Sequence, residues 1–213
     1  MFIVSCLSLK GGCGKSTITL NLAACLPGKV AVIDLDPQQS ITKWAKQSGT
    51  ALSYVHPLVL GDKKPAKQFK SELDRIVKVS DYVVIDTPPQ LEKAALFAAL
   101  ISDLLLIPTT PSPLDIWAAE AAVRTGREAK KERGGRKPKI ILIPSRVQPQ
   151  TVMGRELSDT LKALGEAVGP PITQRVALVE SAVVGETIDK YAPGSPSHKE
   201  FQLLAEYILN IRR

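Results

Sequence analysis

Glycines crowd one short stretch near the start of the chain: Leu9-Lys10-Gly11-Gly12-Cys13-Gly14-Lys15-Ser16-Thr17. An apolar run over 2–8 leads into it, and a helix-forming segment over 15–25 leads out. Glycines between a strand and a helix let the backbone curl until its N–H groups face inward around an anion. The helix start then adds the positive end of its dipole. In that arrangement Lys15 reaches the β- and γ-phosphates of a nucleotide, and the Ser16 hydroxyl ligates Mg²⁺. A chain that makes this turn is committed to a strand–loop–helix unit. The usual phosphate loop, GxxxxGK[ST], needs glycine where Leu9 stands. This loop carries instead a second lysine, Lys10, near its start.

The rest of the 213 residues repeats the alternation. Val- and Ile-rich runs predict strands over 2–8, 30–34, 52–56, 82–86, 104–108, 140–144 and 172–173. Helical patterns fall at 15–25, 39–47, 66–78, 92–100, 113–131, 151–167, 176–184 and 197–211. Strands as continuously apolar as Tyr82-Val83-Val84-Ile85 are covered on both faces, which belongs to a parallel sheet. The expected fold is α/β: a single domain over 1–213 with a mostly parallel, twisted sheet and helices on both faces. Gly134-Gly135-Arg136-Lys137-Pro138 reads as a loop within it.

Two strands end in carboxylates, as Asp34-Leu35-Asp36-Pro37-Gln38 and as Asp86-Thr87-Pro88-Pro89. Open α/β sheets gather ligands at the carboxyl ends of their strands. An aspartate held rigidly there can organise the hydration shell of Mg²⁺. Ser16, Asp34 and Asp86 are therefore the candidate metal residues.

Composition narrows the function classes. Hydrophobic residues make up 44% and charged residues 23%, the balance of a globular chain. The apolar runs are too short to span a bilayer, and the start lacks the basic region of a signal peptide. Cys6, Cys13 and Cys25 have no metal-ligand spacing. Trp44, Trp117, His56 and His198 read as structural. The last helix carries Glu200 and Glu206 on its polar face, with arginines only at its end. That suits packing on the sheet better than lying on a membrane. The net charge is +7, and the segment 124–139 alone holds eight basic residues against Glu128 and Glu132. Such a patch suits a polyanion.

Taken together, residues 10–16, 34–38 and 86–89 resemble the deviant Walker A ATPases of the ParA/MinD superfamily. The likeness is greatest to the small, ParF-like partition ATPases without an N-terminal DNA-binding domain. It extends to 108–112 with Asp115 and to 172–175, and so runs over essentially the whole chain. The resemblance implies ATP and Mg²⁺ as ligands. Gly11, Gly12, Cys13, Gly14, Lys15, Ser16 and Thr17 then hold the nucleotide, with Thr17 at the α-phosphate. Lys10 matches the signature lysine that crosses an ATP-sandwiched homodimer to the partner's phosphates, Lys15 serves the bound nucleotide, and Asp36 matches the carboxylate that positions the attacking water.

The implied function is a partition ATPase, cytoplasmic and nucleoid-associated. It binds DNA non-specifically and hydrolyses ATP when a small centromere-binding or cargo adaptor protein stimulates it. A protein organelle as cargo, or a MinD-like role at a membrane, are the alternatives. Iron-protein and tyrosine-kinase branches fit worse: all three cysteines lie in the first 25 residues, and Tyr207 is the sole tyrosine near the C-terminus. For DNA, local density selects Lys130, Lys131, Arg133, Arg136 and Lys137, while relatives place DNA-binding arginines in the late segments of Arg155 and Arg175. Two departures stand out. Gln90 follows the prolines where a small residue is common. Pro144-Ser145-Arg146 stands where many relatives put an asparagine near the adenine, so base recognition is expected from backbone groups and proline packing.

Overall fold

The computed structural model describes residues 1–47, 54–58, 66–89 and 92–212. Strands β1 (Phe2–Cys6), β2 (Val30–Asp34), β3 (Val55–Pro57), β4 (Tyr82–Asp86), β5 (Leu104–Thr109), β6 (Lys139–Val147), β7 (Ala167–Val168) and β8 (Ile172–Thr173) form one sheet. Its order is β3-β2-β4-β1-β5-β6-β7, and β8 pairs with β6. All these pairings are parallel. The helices are α1 (Lys15–Cys25), α2 (Ser40–Gln47), α3 (Ala66–Val79), α4 (Glu92–Ile101), α5 (Pro113–Glu132), α6 (Val152–Lys162), α7 (Val176–Val183), α8 (Ile188–Tyr191) and α9 (Pro196–Arg212).

The period-two alternation of each strand explains the continuous apolar runs. Val4, Val84, Leu104 and Leu106 point to one face, where they pack with Ile18, Leu20 and Leu22 of α1 and Phe201, Leu204 and Ile208 of α9. Leu105, Ile107 and Leu142 point to the other, against Ala119, Ala122 and Val123 of α5 and Leu157 and Leu161 of α6. Ile3, Ile33, Val83 and Ile85 meet Phe69 and Ile76 of α3. The apolar stripe of α9 is thus inside the core, as its acidic polar face implies. Gly126 lets α5 lie close to the sheet, since a Cβ there would stand 2.8 Å from Ile140 Cδ1 and force that side chain to move.

Several boundaries move. The helix expected over 151–167 stops at Lys162, where Gly165 takes φ 77° and frees Ala167–Val168 to pair with Ile141 and Leu142 as β7. The short helix α8 was not anticipated, and β6 runs on from 144 to Val147. Of the strand expected over 52–56, Leu52 and Ser53 lie outside the described residues, as does Gln90.

Because every paired strand runs the same way, β1, β2 and β4 all end at one edge of the sheet. Helix α5, 20 residues and so about 30 Å long, carries the chain from that edge to the other. Among the described residues no helix is long and apolar enough to cross a membrane.

Candidate nucleotide site

The glycine-rich loop joins β1 to α1 with Gly12 at φ 82° and Gly14 at φ 92°, conformations open to glycine at little steric cost. Lys15 is buried, and its Nζ donates to the Lys10 carbonyl at 3.0 Å across the curl of the loop. Cys13 is also buried, its thiol 3.6 Å from the same carbonyl. The loop opens onto a cavity of about 620 Å³ lined by Gly12, Lys15, Ser16, Asp36 and Arg146, among others. That volume is right for a small-molecule ligand.

Ser16 Oγ donates to Asp86 Oδ2 at 2.6 Å. The other oxygen, Asp86 Oδ1, is buried with no hydrogen-bond partner among the described residues. Burial pushes the Asp86 carboxyl up to about 7, with Asp34 and Asp36 adding to the rise and Ser16 and Lys15 opposing it. A buried acceptor without a donor is costly, and a cation beside it relieves both the missing bond and the charge. Ser16 and Asp86 therefore fit a hard, oxygen-seeking divalent ion. Asp34 does different work. Its Oδ2 accepts from Thr42 N at 3.0 Å and Thr42 Oγ1 at 2.8 Å, and its Oδ1 from Asp36 N at 3.2 Å. Burial raises its pKa against those bonds. Asp34 thus moors the loop that carries Asp36 and the start of α2. Asp36 itself accepts from Gln38 N at 2.8 Å through Oδ1 and lines the cavity.

On the far wall, Ser145 and Arg146 of β6 stand with Gln174 and Arg175 and with Ile172, Leu178, Val179 and Ala182, which give the cavity an apolar side. Neither Ser145 nor Arg146 is idle: each holds a carbonyl of the glycine loop. The sequence pattern gave α7 as a helix without a role, and its Leu178, Val179 and Ala182 wall was missed. Their helical spacing, next to a strand end, was the available signal. Lys10 lies along a second cleft of about 420 Å³, shared with Arg146, Gln148 and Gln174. Its ammonium pairs with Asp115 at the start of α5, which also takes the Thr110 hydroxyl. Lys10 is thus engaged within its own chain. Thr17, like Gly11 and Gly14, is on the rim of the large cavity.

The basic candidates divide. Lys130, Lys131, Arg133, Arg136 and Lys137 sit at the edge of the sheet opposite the glycine loop, where α5 ends and β6 begins. Arg133 donates to the Ser102 carbonyl, and Lys137 pairs with Asp103 at 2.5 Å. Lys130, Lys131 and Arg136 have no side-chain hydrogen bond or ion pair among the described residues. Arg155 donates to the carbonyls of Pro149 and Gln150, and Arg175 pairs with Glu200 at 3.1 Å. Cys6 is buried and its thiol is pushed up to about 12, so it is inert.

Residues 4–188 match the family model described as the CobQ/CobB/MinD/ParA nucleotide binding domain. The chain is 33% identical over 186 residues to the maintenance of carboxysome distribution protein A of Halothiobacillus neapolitanus, covering 86% of this chain and 84% of that protein. It is 27% identical over 232 residues to the chromosome-partitioning ATPase Soj of Thermus thermophilus, covering 94% and 92%. Among solved structures, apo McdA of Cyanothece superposes with a TM-score of 0.76 at 19% identity, over 98% of this chain and 99% of that one. That last likeness is one of fold.

Proposed function

Because the chain belongs to the CobQ/CobB/MinD/ParA nucleotide-binding family, we propose that it is a positioning ATPase that closes into a homodimer around Mg-ATP. The dimer binds DNA without sequence preference and hydrolyses ATP when a small cargo-bound adaptor engages it. The observation that carries this reading is the convergence of Lys15, Asp36 and Ser16, itself bonded to the buried Asp86, on one cavity at the mouth of the glycine loop.

Each group has a task in that reaction. Lys15 exchanges the Lys10 carbonyl for phosphate oxygens, and loop N–H groups bind the rest of the anion. Ser16 and Asp86 are the residues that would hold Mg²⁺, which when bound neutralises charge on the β- and γ-phosphates. Asp36, fixed through one oxygen by Gln38 N–H, offers the other to the attacking water. Lys10 leaves Asp115 to meet the nucleotide of the second copy, which makes ATP part of the dimer interface. The cavity's apolar wall of Ile172, Leu178 and Val179 receives the base.

For DNA, the cations of this patch without a side-chain partner among the described residues, Lys130, Lys131 and Arg136, are the leading contacts. Arg133 and Lys137 are partly committed to the Ser102 carbonyl and to Asp103. Arg155 and Arg175 are the candidates on the nucleotide side. A protein organelle as cargo is the second reading, favoured by the 33% identity to a carboxysome-distribution protein. Phosphate release and light scattering test the central claim. The parent should be monomeric alone and dimeric with Mg-ATP, and Lys10→Ala should bind ATP yet stay monomeric. A dimer that forms without ATP and survives Lys10→Ala would overturn the sandwich.

A further inference from the structure

Two non-glycine residues among those described have left-handed backbone, Gln39 at φ 53° and Arg146 at φ 52°. Both stand at the nucleotide edge, where strained conformations persist only if their surroundings impose them. For Arg146 the imposing contacts are visible. The register of β6 against β8 shifts between Ser145 and Val147, which makes a bulge. At that bulge the Arg146 guanidinium Nη1 donates to the Gly12 carbonyl at 2.9 Å. The preceding Ser145 donates its hydroxyl to the Cys13 carbonyl at 2.7 Å. Two consecutive residues of β6 therefore grip two consecutive carbonyls of the glycine loop.

The consequence follows from peptide geometry. A trans peptide is planar, with its N–H directed opposite to its C=O. Drawing the Gly12 and Cys13 carbonyls toward β6 turns the N–H groups of Cys13 and Gly14 away from β6, into the curl of the loop. We infer that the Ser145–Arg146 bulge is an external brace that sets the phosphate-binding N–H groups before any anion arrives, with Arg146 as a positioning residue. Gly14 is fitted to the brace, since a Cβ there would stand 2.9 Å from Ser145 Oγ. Donors preset in this way need no reorganisation on binding. The left-handed backbone of Arg146 is the structural cost of aiming its side chain at Gly12. This inference rests on the nucleotide reading above and adds a residue pair to it.

Arg146→Gly separates the brace from ordinary support, because glycine accepts the left-handed backbone at little steric cost while removing the guanidinium. The full chain is titrated with a fluorescent ATP analogue, displaced in turn by ATP and by inorganic tripolyphosphate, and thermal unfolding is followed without ligand. Arg146→Gly should keep or raise the Tm of the parent, yet weaken ATP and tripolyphosphate alike by roughly tenfold, the effect of losing a charge-assisted hydrogen bond. Millimolar guanidinium should restore affinity to that variant and leave the parent unmoved. Ser145→Ala should weaken both ligands less, by roughly threefold, as a neutral bond is lost. Parent-like affinity in Arg146→Gly would overturn the brace. So would a loss confined to ATP that spares tripolyphosphate, because Arg146 would then serve the base. A lowered Tm with no guanidinium rescue would also overturn it, by making Arg146 a support of the fold. If the parent itself bound neither ligand, the nucleotide reading would fall and the brace with it.

Discussion

The two edges of this sheet are both rich in charge and differ in which groups are buried unmet. Where β6 begins, the charges nearest the sheet are answered: Lys137 pairs with Asp103, whose other oxygen takes the Ile3 N–H, and Arg133 holds the Ser102 carbonyl, while Lys130, Lys131 and Arg136 have no side-chain partner among the described residues. Asp81 likewise receives the Lys29 N–H at 2.8 Å. At the edge where β1, β2 and β4 end, Asp86 Oδ1 is buried without a donor among the described residues, Arg146 is held left-handed in the wall of an open cavity, and Gln39 is left-handed between the lining residues Gln38 and Ser40. Groups that satisfy each other within the chain are structure. Those left unsatisfied or strained beside a cavity are capacity for a ligand. Charge density marks the first edge in the sequence, but a buried, unmet acceptor distinguishes the second.

The sharpest way to break that contrast is Lys15→Ala. Removing a buried ammonium from the loop should weaken ATP by about 2–5 kcal/mol in a binding titration and abolish turnover. Lys131→Ala, at the other edge, should leave ATP affinity unchanged. Next is Asp36→Ala, which should bind ATP and lose phosphate release by about 100-fold or more. Equal turnover in Asp36→Ala and the parent would remove Asp36 from its role.

A smaller effect compares two left-handed glycines by denaturant unfolding. Gly14→Ala should cost about 2–3 kcal/mol, from its φ of 92° and the 2.9 Å approach to Ser145 Oγ. Gly134→Ala, at φ 73° with open space around its Cβ, should cost about 1 kcal/mol. Equal costs would mean that the brace exerts no pressure on the loop. Smallest in stability, within about 0.5 kcal/mol, is the triple change of Lys130, Lys131 and Arg136 to glutamine. The same variant should flatten the log–log salt dependence of binding to random-sequence DNA by about 0.9 for each phosphate contact removed. An unchanged slope would move the DNA contact toward Arg155 and Arg175. Lys137→Gln should lose up to about 1 kcal/mol of stability, because it leaves Asp103 without its cation.

Much of the architecture was legible along the chain because its causes are local. The runs at 30–34 and 82–86 became β2 and β4 without change, and 15–25 became α1. Each has its period and its end signals within a few residues. The failures were of another kind. Ala167–Val168 has little strand character, and it is a strand only because the exposed edge of β6 at Ile141 and Leu142 waits beside it. Asp34 and Asp86 look alike as strand-end aspartates. Thr42 and the Asp36 N–H fill the two oxygens of one, and nothing among the described residues fills Oδ1 of the other.

By itself, then, the sequence determined that a glycine-rich turn joins an apolar strand to a helix, that Lys15 and Ser16 open that helix, and that parallel strands alternate with helices through the chain. Torsional preference and hydrophobic period act over a few residues and can be read one segment at a time. Only the tertiary structure decided which carboxylate is left unmet, which lysines have partners, and which side chains hold the loop. Ser145 and Arg146 reach Cys13 and Gly12 across 132 and 134 residues of chain. Such contacts depend on where the sheet brings distant strand ends together, which nothing local in either segment specifies.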